Sequence, residues 1–302
     1  MFIIKHKKIF ISISIALVVL SLTALAIFRL NVGIDFKGGA LTEIVYKESR
    51  PAQADLNKPL EDLAFGGILL QPTGELGYIV KSRDLTDVEH ALLLKALSGD
   101  GANVPTEISF NSIGPSVGQE LTRKAVLSII LISLAIICFI AFAFRKVSKP
   151  VSSWKYGLIA IVTLLHDVIM PVGLFVFLSY YYRAELDTLF VVAILTILGL
   201  SVSDTIVIFD RIRDNLNETP NVDKSNFSQI VGKSVEQSFV RSICTSLTVI
   251  LVLLALFFFG PTSTRYFALM LTTGMFFGTY SSIFLASPLL VLVQEWQDKK
   301  KK

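Results

Sequence analysis

Residues 198–215 read LGLSVSDTIVIFDRIRDN. The stretch starts as apolar as a membrane helix, and an aspartate, Asp204, stands before the apolar run is finished. Asp210, Arg211, Arg213 and Asp214 then follow as a helix end in the headgroup region, where charges can pair at the interface. The sequence therefore places a carboxyl group about two helical turns, roughly 10 Å, inside the first basic residue. Ionisation is unfavourable at that depth, so the fold and the function both turn on what surrounds Asp204.

Working outward, the whole chain has membrane composition. Of 302 residues, 53% are hydrophobic and only 17% are charged, with a mean hydropathy of +0.65. A helix needs about 20 apolar residues to cross the hydrocarbon layer. Six stretches qualify: about 9–28, 124–144, 156–180, 187–209, 242–259 and 265–293. The first also has features of a cleaved signal peptide: Lys5, Lys7 and Lys8 precede it, and Ala24-Leu25-Ala26 stands near its end. Its apolar run exceeds the usual length of such a segment, so it reads as a retained membrane helix. Cys138 and Cys244 both lie in apolar runs, which implies neither a disulfide framework nor a zinc site.

Lysine and arginine in short loops stay on the cytoplasmic side. Lys5, Lys7 and Lys8 precede the first span. Arg145, Lys146, Lys149 and Lys155 lie between the second and third, and Arg211, Arg213, Lys224, Lys233 and Arg241 between the fourth and fifth. The chain ends in Lys299 to Lys302, while the alternate short loops carry one arginine each. Both termini are expected in the cytoplasm. The expected organisation is a cytoplasmic N-terminus and first helix (1–28), an extracytoplasmic domain (29–123), a five-helix bundle (124–294) and a basic cytoplasmic tail (295–302).

The segment 29–123 is too polar to be membrane. LTEIVY (41–46) is rich in β formers, and PAQADLNKPLEDLA (51–64) reads as a helix interrupted near Pro59. GILLQ (67–71) and LGYIV (76–80) read as strands around a Pro72-Thr73-Gly74 turn. Thr86 and Glu89 form a capping-box pattern before ALLLKAL, and TEISFNSI (106–113) reads as a last strand. The order β-α-β-β-α-β predicts a ferredoxin-like α+β sandwich. Its one histidine, His90, reads as solvated or half-buried. GIDFKGG (33–39), with Gly33, Asp35, Gly38 and Gly39, lacks both phosphate-loop patterns and reads as a tight turn joining helix to domain.

Ionisable groups within the spans are few. Asp167 sits mid-helix beside His166 in LLHDVIMPVG, and Pro171 cannot donate to the carbonyl of residue 167. Ser201 and Ile208 share the face of Asp204, with Thr205 adjacent. Arg241 opens the fifth span, followed by Ser242, Thr245, Ser246 and Thr248. Low dielectric penalises the charged form of a carboxyl, which suits Asp204 to taking up and releasing a proton, with Arg241 as a switchable partner. Asp167 can equally be a structural carboxyl tying helices together. Gly274, Gly278, Ser282 and Ala286 form a small-residue stripe that admits a close helix neighbour of this chain or of another.

In their order along the chain, GIDFKGG, IGPSVGQEL (113–121), LLHDVIMPVG, LSVSDTIVIFDRIRDN, SFVRSICTSLT (238–248) and GTYSSIFLASPL (278–289) resemble the motifs of the SecF family. SecF is the smaller subunit of the SecDF accessory complex of the bacterial protein translocase and is similar to half of an RND-type transporter. The resemblance implies SecD as heteromeric partner, with SecYEG, SecA and, in many cases, YajC and YidC nearby, in the bacterial plasma membrane. It implies an unfolded preprotein as substrate and the proton motive force, with no cofactor or nucleic acid, as the driver of late, SecA-independent translocation. By the same resemblance Asp204 and Arg241 belong to the proton pathway, with Asp167 a further candidate. Many members have Asn where this chain has Ser203, which retains a polar donor beside Asp204.

Three rivals remain on the sequence alone. An intramembrane aspartyl protease would use two carboxylates, but SVSD stands where its GxGD signature should be. A small-solute exporter would need a larger extramembrane region. A purely structural subunit would tolerate asparagine at position 204.

Overall fold

The computed structural model describes residues 2–99, 103–143, 153–219 and 224–300. Arg145, Lys146, Lys149, Lys301 and Lys302, used above for orientation, lie outside the described residues. In chain order the helices are α1 (Phe2–Lys5), α2 (Lys7–Phe28), α3 (Ile34–Lys37), α4 (Gln53–Glu61), α5 (Asp87–Leu97) and α6 (Pro115–Ala143). They continue with α7 (Ser153–Tyr182), α8 (Thr188–Glu218), α9 (Lys224–Phe259), α10 (Arg265–Ser281) and α11 (Ser287–Lys300). The strands are β1 (Gly39–Val45), β2 (Leu69–Thr73), β3 (Gly77–Ser82) and β4 (Thr106–Ile113). The chain divides into two compact units, Val32–Val126 and Met1–Asn31 with Leu127–Lys302.

In the Val32–Val126 unit the strands form one antiparallel sheet in the order β2-β3-β1-β4. Alternation along β1 buries Ala40, Thr42 and Ile44 on the face covered by Leu56 and Leu60 of α4 and Leu93 and Leu97 of α5. This is the ferredoxin-like order that the sequence predicts. Two local details differ. Helix α4 runs through Pro59 without a break, because a proline near the end of a short helix forfeits only one backbone bond. Pro72 and Thr73 belong to β2, and the hairpin turns at Gly74, whose φ of 54° is left-handed. Proline is tolerated there because β2 is an edge strand.

The GIDFKGG stretch has a steric role. Gly33 is the N-cap of α3, Asp35 lies in its first turn, and Gly38 (φ 79°) and Gly39 (φ 138°) turn the chain into β1. A methyl at Gly38 would lie 2.9 Å from Pro115 Cα, and one at Gly118 would lie 2.9 Å from the Gly38 nitrogen. The glycines of two sequence motifs thus let the start of α6 touch the turn before β1. His90 stacks on Phe110, with centroids 3.7 Å apart, and its Nε2 lies 3.5 Å from Glu107.

Among the described residues six helices are long and apolar enough to cross a membrane: Lys7–Phe28, Pro115–Ala143, Lys155–Tyr182, Thr188–Glu218, Asn226–Phe259 and Arg265–Gln297. Helices α6, α8 and α9 run well beyond the apolar stretches in the sequence. Helix α9 begins well before residue 242, so Arg241 lies within it rather than at its start. Phe227, Val231, Ser234, Val235, Ser238, Ser242 and Ser246 form a buried stripe at helical spacing through the polar stretch. The same stretch packs on the polar end of α8. Asn215 donates to Ser234 Oγ and to Gln237 Oε1, both at 2.8 Å, and Arg211 donates to Gln237 at 2.8 Å. Arg213 pairs with Asp210 and Asp214.

The last span is also not one regular helix. Ser282–Ala286 is a π-helical segment between α10 and α11. Pro288 follows it. A proline at that position cannot donate to the carbonyl of residue 284 and crowds it, so the preceding turn widens. Helix α10 packs against α7, α8 and α9. A side chain at Gly274 would fall on Ile197, and one at Gly278 would lie 3.3 Å from Ser201 Cβ. The small-residue stripe is therefore the seat of α8 of this chain.

Candidate functional site

Helices α7, α8, α9 and α10 enclose a seam of buried polar side chains. Asp167 is fully buried at its centre. One carboxylate oxygen accepts from Ser201 of α8 and, at 2.7 Å, from Ser281 of α10. The other lies 2.8 Å from His166 Nδ1. Asp204, one turn after Ser201 on α8, is also buried. It accepts from Thr279 of α10 at 3.2 Å and from Ser246 of α9 at 3.3 Å. Thr205 and Ser282 join α8 to the π segment at 2.9 Å. Helix α10 thus delivers Thr279 to one carboxyl and Ser281 to the other, two residues apart in TYSS.

Three hydroxyls of this seam have a second acceptor within reach. Thr279 Oγ1 lies 3.0 Å from the Met275 carbonyl, Ser246 Oγ 2.8 Å from the Ser242 carbonyl, and Ser281 Oγ 3.0 Å from the Gly278 carbonyl. A hydroxyl carries one proton and two lone pairs. It can donate to a carboxylate, or turn to the carbonyl and accept from the carboxylic acid. Both charge states of Asp204 and Asp167 are therefore provided with partners, which is what a buried group must have to change its charge without being stranded. Among the described residues no three His, Cys, Asp or Glu side chains converge to hold a metal ion.

The structure brings together Asp167, His166, Ser201, Asp204, Thr205 and Ser282, and seats Gly274 and Gly278 beside them. Ser201 faces Asp167 rather than serving Asp204. Ser203 lies on the exposed side of α8 and makes no hydrogen bond to Asp204, a correction to its expected supporting role: a residue adjacent to Asp204 in a helix points about 100° away from it. Arg241 is exposed on α9, one position before buried Ser242, and among the described residues it makes no ion pair. No hydrogen bond or ion pair joins it to Asp204 among the described residues. Gly33, Asp35, Gly38 and Gly39 belong to the other unit. Sequence reasoning missed Thr279 and Ser281 as carboxyl partners. Their signal was present as a run of hydroxyl-bearing residues, TYSS, along the small-residue stripe.

Comparison with known proteins decides the lineage. Residues 95–296 match the family described as protein export membrane protein SecD/SecF, C-terminal. The chain belongs to the SecD/SecF family. The protein translocase subunit SecF of Thermobaculum terrenum is 39% identical over 98% of this chain and 94% of its own length. The SecF subunit of Anaerolinea thermophila is 35% identical over 97% of this chain. The SecDF subunit of Bacillus subtilis is 32% identical over 93% of this chain, which covers 36% of that longer protein. The crystal structure of SecDF, a translocon-associated membrane protein from Thermus thermophilus, superposes with a TM-score of 0.81 at 27% identity, over 98% of this chain and 38% of that one. SecDF in a super-membrane-facing form gives 0.68 at 29% identity, and this chain spans 39% of its length. Both SecDF structures share the fold described above. The SecD/SecF match includes both buried aspartates.

Proposed function

We propose that this chain is a proton-coupled subunit of a protein-export complex in the bacterial plasma membrane. The carrying observation is the pair of buried carboxyls whose hydroxyl partners can serve either charge state. SecD is the proposed partner, since the Bacillus subtilis relative joins a SecF-like part to a longer chain. The complex acts beside SecYEG, after the SecA-driven steps and with YajC and YidC as further neighbours, on unfolded preprotein. The basic loops favour cytoplasmic termini, with the α+β unit on the far side.

Asp204 is the carrier in this reading and Asp167 the neighbouring site. Protonation of Asp204 releases Thr279 and Ser246 to their backbone carbonyls. Ionisation calls them back and draws the exposed Arg241 charge towards the seam. One charge moving through 100 mV gains about 2.3 kcal/mol, which biases a conformational equilibrium roughly fifty-fold. Small rearrangements at the α8–α10 contact then become a rocking of helices.

The test is preprotein export into membrane vesicles carrying this chain and SecD, at fixed SecA and ATP, with and without a proton gradient. Asp204→Asn keeps the shape and removes the titration. The gradient-dependent part of export is expected to vanish while the complex still assembles. Full gradient dependence in that variant would make Asp204 structural.

A further inference from the structure

The polar seam leaves His166 short of one partner. His166 binds Asp167 through Nδ1, while its Nε2 is buried with no hydrogen-bond partner among the described residues. Ser14 Oγ is likewise buried and unpartnered. Ser14 is the only fully buried residue of α2, whose other residues are partly buried or exposed. Burying a lone hydroxyl and a lone ring nitrogen is unfavourable, and such groups are ordinarily bridged by water where no side chain reaches.

The register of the two helices places these groups together. Helix α2 lies along α7. A side chain at Gly173 would fall on Ser21, whose Oγ lies 4.0 Å from Met170 Sδ. Seven residues further along both chains, Phe28 stacks on Tyr180 with centroids 4.5 Å apart. The helices therefore run parallel in a heptad register, and seven residues before Ser21 and Gly173 stand Ser14 and His166. Tyr280 of α10 closes the same layer. Its ring stacks on His166 at 6.3 Å, and its hydroxyl lies 3.4 Å from the Phe10 carbonyl, one turn before Ser14.

We infer that a water molecule bridges Ser14 Oγ and His166 Nε2, carrying the Asp167 network on to the first helix. The inference deepens the proton-coupled reading and rests on it for its functional part. Ser14 is then a positioning residue. Through the water it fixes the tautomer and ring orientation of His166, and so the hydrogen bond that His166 makes to Asp167. A direct Ser14–His166 hydrogen bond is not formed in the structure, and the two polar partners present are the fewest that a buried water takes.

The experiment uses the full chain in lipid bilayers with unlabelled SecD. The chain has three histidines, so His6→Gln and His90→Gln leave His166 as its one ring signal. Water-edited nitrogen NMR on ¹⁵N-histidine then reads whether water protons contact Nε2, and gradient-driven proton flux is measured on the same samples. The expected result is a water signal at Nε2 that disappears in Ser14→Ala and persists in Ser14→Thr. Flux should fall roughly threefold to tenfold in Ser14→Ala, the ratio set by one net hydrogen bond. No water signal in the wild type, or one indifferent to Ser14→Ala, overturns the bridge. If Ser14→Ala abolishes the water signal and flux stays unchanged, the positioning role is overturned. Asp204→Asn in the same flux assay tests the underlying reading separately, because it leaves the water at Nε2 in place.

Discussion

The α+β unit and the helical bundle bury side chains by different rules. Ile44, Tyr46, Leu93 and Leu97 fill the core of the first, and Thr42 is its one buried polar residue among the described residues. The bundle buries His166, Asp167, Asp204 and a row of serines and threonines. Water drives the first core together by excluding apolar surface. Lipid gives no such drive between helices, so the bundle relies on close approach at small residues and on hydrogen bonds across the seam. What looks like a flaw in a soluble core is here the adhesive and, in the proposed function, also the chemistry.

If this contrast holds, damage should stay in the unit where it is made. Leu93→Ala should destabilise the α+β unit by about 2–5 kcal/mol. Hydrogen exchange of the β1, β3 and α5 amides should rise, with bundle amides unchanged. A parallel rise in α8 or α10 would break the distinction. Gly274→Val should have the converse effect, about 1–3 kcal/mol of overpacking against Ile197, read as a lower melting temperature of the bundle in detergent. Ser281→Ala sharpens the point. Its stability cost should be small, about 0.6–2 kcal/mol, yet gradient-driven export should fall because Asp167 loses a switchable donor. Equal and proportionate losses would make the seam merely adhesive.

The smallest effect is at the α5 cap. Thr86 and Glu89 close a capping box, and Thr86→Ala should cost about 1 kcal/mol. The hydrogen bond from Arg83, helped by the backbone and side chain of Thr86, holds the Glu89 carboxyl down at about 2 from its usual 4.5. A depressed folded value stabilises above 4.5, and that support is lost as pH falls through about 2. Glu89→Gln should flatten this acid limb of α5 exchange protection and leave the bundle unaffected.

The sequence made much of this legible. A run of β formers marked β1, and uninterrupted apolar length marked the six spans. Asp204 and Asp167 announced themselves because charge is rare among such residues. The misses share one physical origin, which is that composition reports an average over a helix while packing acts on one face. Residues 224–241 are polar overall, so the buried stripe from Phe227 to Ser238 was hidden, and with it the true length of α9. Ser203 and Arg241 lie beside buried seam residues in sequence but on the outward faces of α8 and α9. Thr279, Ser281 and the Ser14–His166 layer depend on which helix meets which, and no single helix records that.

The most direct test of proton coupling through the buried carboxyls is gradient-driven proton flux through proteoliposomes holding this chain and SecD. Wild type would be compared with Asp204→Asn, and Asp204→Glu would serve as the titrating control. Flux that disappears with asparagine and partly returns with glutamate is the predicted result. Flux that is the same in all three would contradict a carrier role for Asp204 and leave the seam as packing.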